Sequence, residues 1–192
     1  MLLIFFPIFI NISFAANINT GAAAGNFLKL GSGVRAMSIG GAFIAVADDP
    51  YAVYWNPAGL SQLKSIELSS MYSTWFSGVN YANIAGAYPF GKSTVGFLVN
   101  YVNIGPIEET TAAKPAGTGQ IFNSYENAIY LAYSQRILPG FSLGGGLKTL
   151  SQNITGSSAN GYGIDLGALW RWEDYIVGFN ARNILGSLGN KP

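Results

Sequence analysis

Asp48 and Asp49 stand side by side before Pro50, and an adjacent carboxylate pair is a group that can bind a cation or move a proton. No third oxygen ligand follows at a metal-binding spacing, so the pair reads as an anchor that caps backbone N–H groups or pairs with Arg35 or a more distant arginine. Gly31-x-Gly33-x-x-Ala36 has the outline of a phosphate-cradling fingerprint, but no strand–helix–strand unit surrounds it. Gly144-Gly145-Gly146 lacks the Gly-Lys-Ser/Thr ending of a phosphate loop, and reads as small residues in a barrel wall that leave room inside for a plug. Asn153-Ile154-Thr155 is a formal glycosylation acceptor, which has no use in a bacterial host. The chain has no histidine and no cysteine. That removes Ser-His-Asp and Cys-His chemistry, imidazole-bound or thiolate-bound zinc, ordinary haem ligation and any disulfide framework. We expect no catalytic residue, no metal site and no cofactor.

The elements that hold these residues follow from composition and period. Of 192 residues, 49% are hydrophobic and only 10% charged, less than half the charge of an ordinary water-facing domain, which is about 25%. Ten Lys and Arg balance nine Asp and Glu without forming a basic stripe, so nucleic acid is not an expected partner.

Met1 to Ala15 carry no charge, and their apolar run is broken by Pro7, Asn11 and Ser13. The run is shorter than the ~20 residues a transmembrane helix needs. Ser13 and Ala15 occupy the positions a signal peptidase reads, so residues 1–15 are expected to be a cleaved signal peptide, although a positive n-region is missing. The chain is therefore expected to be exported.

From Ser65 onward, period-two alternation replaces any helical period. In Gly161–Trp172, Tyr162, Ile164, Leu166, Ala168, Trp170 and Trp172 share one face, while Gly163, Asp165, Gly167 and Arg171 share the other. Seven strands are predicted: 65–77, 80–89, 93–104, 121–136, 140–152, 161–172 and 174–184. The second is the weakest, because neither of its faces is clearly apolar. Strands in soluble folds average about 5 to 6 residues, whereas tilted strands crossing a membrane need about 9 to 11; these have the second length. Glu126, Lys148, Asp165, Arg171 and Arg182 all fall opposite the apolar face, which suits a lumen, because a charge at the bilayer midplane costs about 2–4 kcal/mol. Aromatics gather near strand ends (Trp75, Phe76, Tyr88, Phe90, Trp170, Trp172), as in the girdles of membrane barrels. Short links at 90–92, 137–139 and 173–174 alternate with longer polar ones at 105–120 and 153–159, which are expected to face outward. The fold class expected is all-β, a transmembrane antiparallel β-barrel in the outer membrane.

Residues 16–64 form a separate Gly- and Ala-rich block with helical turns predicted around Val34–Ile39 and Pro57–Gln62. Trp55-Asn56-Pro57 is expected to set a tight turn, with Pro57 opening the second helix. The order of GVRA (33–36), GGAF (40–43), AVADD (45–49) and WNPAGL (55–60) resembles the amino-terminal block of the PorV/PorQ-type proteins, within the wider FadL-like outer-membrane superfamily. GFNARNI (178–184) is also similar to a recurrent stretch of that family.

The resemblance implies a fourteen-stranded barrel whose amino-terminal segment is folded into the lumen as a plug. Arg35, Asp48, Asp49, Trp55, Asn56 and Pro57 would then be its plug or gate residues. Seven strands are half of fourteen, so the chain is expected to be an amino-terminal fragment, the other reading being that two copies associate to close the wall. The partners implied are outer-membrane lipid together with exported proteins, handed to surface attachment as in type IX secretion. The alternative is uptake of a hydrophobic small molecule such as a long-chain fatty acid.

Overall fold

A computed structural model of the chain describes residues 26–75, 78–154 and 157–191. The expected signal peptide, the first residues of the plug block, the girdle residue Phe76 and Thr155 of the glycosylation sequon lie outside the described residues. Seven strands follow four short helical turns: β1 (Glu67–Thr74), β2 (Val79–Phe90), β3 (Ser93–Glu108), β4 (Ile121–Leu138), β5 (Phe141–Ile154), β6 (Ser157–Trp172) and β7 (Tyr175–Lys191). They form one antiparallel sheet in sequence order, with β1 and β7 at its two edges. Among the described residues no helix is long and apolar enough to cross a membrane.

The pleat sends alternate residues to opposite faces, and the burial pattern follows it. In β4, Tyr125, Ile129, Leu131 and Tyr133 are exposed while Ser124, Glu126, Ala128, Tyr130, Ala132 and Ser134 are buried. In β3, Val95, Phe97 and Tyr101 are exposed while Thr94, Leu98, Asn100 and Val102 are buried. The exposed face is thus the greasy one, an inversion of the arrangement in a water-soluble sheet. Two-residue turns at 91–92, 139–140 and 173–174 join the strands at one end. At Gly140, with φ of 79°, a Cβ would stand 2.3 Å from the Arg171 carbonyl oxygen, so the turn needs glycine.

Several strands run further than their side chains suggest. Within the polar stretch 153–159, expected to be a long loop, residues 153–154 and 157–159 are ladder: Asn153 pairs with Ser158 and Ile154 with Ser157. β7 likewise continues past Ile184 to Lys191, pairing with β6 as far as Ser158. Backbone hydrogen bonds are indifferent to side-chain hydropathy, so a hairpin can extend beyond its apolar part.

The core lies between the buried face and residues 26–63. That segment folds as a 3-10 turn (Asn26–Leu30), α1 (Val34–Ser38), α2 (Ala52–Trp55) and a second 3-10 turn (Pro57–Gln62). Phe43, Val53 and Leu60 from it meet Tyr81, Leu98, Ala128 and Tyr130 of the sheet. α1 and the second 3-10 turn match the predicted helical turns; α2 was not anticipated.

Candidate functional site

The surface where the helical segment (the plug, for short) meets the sheet (the wall) holds many of the buried polar side chains, among them Ser32, Asn56, Ser61, Ser134 and Ser142. Its centre is Asn56, fully buried. Its extended backbone ends α2, and its Oδ1 accepts from the Ala58 N–H at 3.1 Å, capping the turn that Pro57 opens. Its Nδ2 donates to the Ile44 carbonyl at 2.8 Å and to the Ala168 carbonyl of β6 at 3.2 Å. One side chain thereby joins two parts of the plug and the wall.

The wall accommodates this approach through missing side chains. A Cβ on Gly167 would stand 2.1 Å from Asn56 Oδ1, and one on Gly144 would stand 2.3 Å from the Ala58 nitrogen. Of the three consecutive glycines, Gly144 and Gly146 face the plug, whereas Gly145 lies on the outward face, contrary to the expectation that all three leave room inside. Around the glycines, wall side chains reach plug backbone: Ser134 Oγ to Ala58 O (3.0 Å), Arg136 to Ser61 O (2.8 Å) and Asn180 Nδ2 to Trp55 O (2.6 Å). Arg171 donates to Gln62 Oε1.

A second cluster ties α1 to β2 and β3. Tyr81 donates to the Gly31 carbonyl at 2.5 Å, and Ser32 donates to Asn100 Oδ1 at 3.0 Å. Tyr51 donates to Asn83 Oδ1 at 2.8 Å, and burial pushes its phenol up to about 12. Trp55 donates to the Ser32 carbonyl at 2.8 Å and packs edge-on against Tyr54 and Phe43.

Inward-facing charges of the strands have close partners. Lys148 and Asp165, both almost fully buried, form a two-pronged ion pair at 2.7 and 2.8 Å. Asp165 also accepts the backbone N–H of Asn183 at 2.8 Å. Asn183 has φ of 56° within a register shift of β7, and its neighbour Arg182 lies 4.3 Å from the ring centre of Tyr54 in the plug. Glu126 accepts from Gln152 at 2.5 Å, and its other carboxylate oxygen finds no partner among the described residues.

On the exposed side of the plug, Arg35 is ion-paired with Asp48 and lies 3.9 Å from Asp49. Its hydrogen bond to Asp48 raises the guanidinium pKa. Burial holds the Asp49 carboxyl above its usual range, against the opposing hydrogen bond from the Tyr51 N–H and the charge of Arg35.

The structure therefore brings Trp55, Asn56, Pro57, Arg171 and Arg182 into the seam, leaves Arg35, Asp48 and Asp49 as a local cluster outside it, and puts Lys148, Asp165 and Glu126 within the wall. Sequence reasoning missed Arg136, Tyr130, Asn100 and Asn180. All four continue the inward parity of their strands, so the period-two rule could have named them; Ser32, which lies outside any strand, had no such signal. Among the described residues no group of three acidic, His or Cys side chains could hold a metal. What the arrangement does is lock one segment onto one face of a sheet.

The model of an uncharacterised protein family, UPF0164, matches residues 12–163. No curated protein and no solved structure matches the chain.

Proposed function

Since the chain belongs to the uncharacterised family UPF0164, whose description carries no activity, we propose from its geometry that it forms the wall and resident plug of a bacterial outer-membrane β-barrel. It would reach that membrane through a cleaved signal peptide and perform no catalysis. The observation that supports this is the inverted sheet: outward side chains such as Leu131, Leu147, Trp170 and Phe179 are 58–63% exposed in apolar rows, while charges point to a face already covered by the plug. An apolar exposed face of this extent suits hydrocarbon and not water.

In this reading the protein acts in export or surface attachment of proteins, as the PorV/PorQ resemblance implies. The plug's backbone-level attachment keeps the inside of the wall filled, which favours cargo handled at the loops over cargo passing through. A second reading, uptake of a hydrophobic small molecule such as a long-chain fatty acid, is favoured by the aromatic rings at the seam: Tyr54, Trp55 and Tyr130 give apolar bodies with polar tips beside the wholly apolar Phe43.

Deleting the gene in its host separates the two. The export reading expects a set of surface proteins to be retained in the periplasm with labelled fatty-acid uptake unchanged. Lost uptake with normal surface proteins would overturn it in favour of the second reading.

A further inference from the structure

The outward face of the wall is not uniform. Along β5 its outward residues run Leu143, Gly145, Leu147, Thr149 and Ser151. Gly145 has no side chain between its ladder partners Tyr133 and Leu166. A shallow groove of about 520 Å³ passes over it, walled by Leu131, Leu147 and Ile164. A second groove of about 530 Å³ continues toward the long-loop end, where Asn127, Thr149, Ser151 and Asn160 surround it beside Tyr162. The two share consecutive rows of the ladder, Leu131–Leu147–Ile164 and Ile129–Thr149–Tyr162.

The dimensions are those of one leaflet. From the Ser151 row to the Gly145 row is six residues along the strand, about 20 Å at ~3.4 Å each. A barrel strand tilted by about 45° converts this to roughly 14 Å along the membrane normal, close to half of the ~30 Å hydrocarbon thickness. The outward positions of β4, β5 and β6 carry no Lys, Arg, Asp or Glu, so a phosphate head would find no cation there. Amide and hydroxyl groups instead match a head that both donates and accepts hydrogen bonds without charge.

We propose that this stripe is a binding site for a single membrane lipid, its acyl chain lying over Gly145 and its uncharged, hydroxyl-bearing head, as in a glycolipid, held by Asn127, Thr149, Ser151 and Asn160. The inference rests on the membrane-wall reading above. Selectivity comes from the match of an uncharged rim to an uncharged head, and depth comes from the absent side chain at Gly145.

The test uses the full chain reconstituted into phosphatidylcholine vesicles doped equally with monogalactosyl diacylglycerol and phosphatidylglycerol, with retained lipid counted by native mass spectrometry after extraction. Retention of the galactolipid over phosphatidylglycerol on the order of tenfold, equivalent to about 1.4 kcal/mol, is expected. Gly145→Leu should abolish that preference; a Cβ there meets Leu166 Cδ2 at 3.5 Å and the Asp165 carbonyl oxygen at 3.9 Å, ordinary contacts that leave the wall intact. The pair Asn127→Ala and Asn160→Ala should remove the preference without reducing total lipid retained. Equal retention of the two lipids, or a preference unchanged in Gly145→Leu, overturns the site while leaving the membrane wall standing. Failure of the unsubstituted chain to float with the vesicles overturns the membrane wall and the site together.

Discussion

The amide of Asn56, in the plug, donates to the carbonyl of Ala168 in β6, 112 residues away in sequence, across a gap that exists only because Gly167 has no side chain. The two features are coupled: the amide reaches the wall because the glycine admits it, and the glycine is required because the amide is there.

Gly167→Ala should therefore cost about 1–3 kcal/mol through overpacking against Asn56, while Gly145→Ala, on the other face, should be nearly silent. Urea unfolding of the vesicle-inserted protein, followed by tryptophan fluorescence, reads both. Equal effects would mean that the plug does not press on β6 as described.

Asn56→Ala removes a helix cap and leaves the Ile44 and Ala168 carbonyls without this donor. We expect a loss on the order of 3 kcal/mol, about 1 from the cap and the rest from unpaired buried carbonyls. Faster proteolysis within residues 26–63, with the strands still protected, is the accompanying sign.

The Lys148–Asp165 pair is deeply buried, so breaking it from one side should be worse than removing it. Lys148→Met alone should cost about 3–5 kcal/mol, because Asp165 keeps an uncompensated charge; Lys148→Met with Asp165→Leu should recover much of that. The recovery will be incomplete, since Asp165 also holds the Asn183 N–H that aims Arg182 at Tyr54. A double-mutant cycle in urea midpoints measures the coupling, and additive effects would refute it.

Asp49 gives a pH dependence of definite sign. Its carboxyl pKa is raised in the fold, chiefly by burial, so the folded state binds the proton more tightly than the unfolded chain. Stability then falls as pH rises from the unfolded value through the raised one. Asp49→Asn keeps an oxygen for the Tyr51 N–H and should flatten this fall, with no gain below the unfolded pKa. Unfolding midpoints across the acidic range compare the two proteins.

Leu131→Arg places a charge on the outward face of β4, one ladder row from Gly145, and should cost about 2–4 kcal/mol if that row lies near the bilayer midplane. Leu131→Val is the control for lost packing. A negligible difference between the two in vesicle insertion would argue for water on that face.

Period-two alternation, readable residue by residue, determined the number of strands, their approximate bounds and, for all but the second, which side is apolar. It does so because the pleat sends neighbours to opposite faces whatever lies around them. Pro57 and Asn56 likewise announced a capped turn through purely local geometry. Where strands end was less legible: residues 153–154, 157–159 and 185–191 look like loop but extend the ladder, since a backbone hydrogen bond needs only an adjacent strand. What only the tertiary structure decided is how the plug and wall meet, that Asn56 faces Gly167, that Lys148 pairs with Asp165, and that Arg182 lies on Tyr54. Each is a contact between distant segments whose partners have no common local pattern, and it exists only once the sheet has brought its strands side by side beneath the plug.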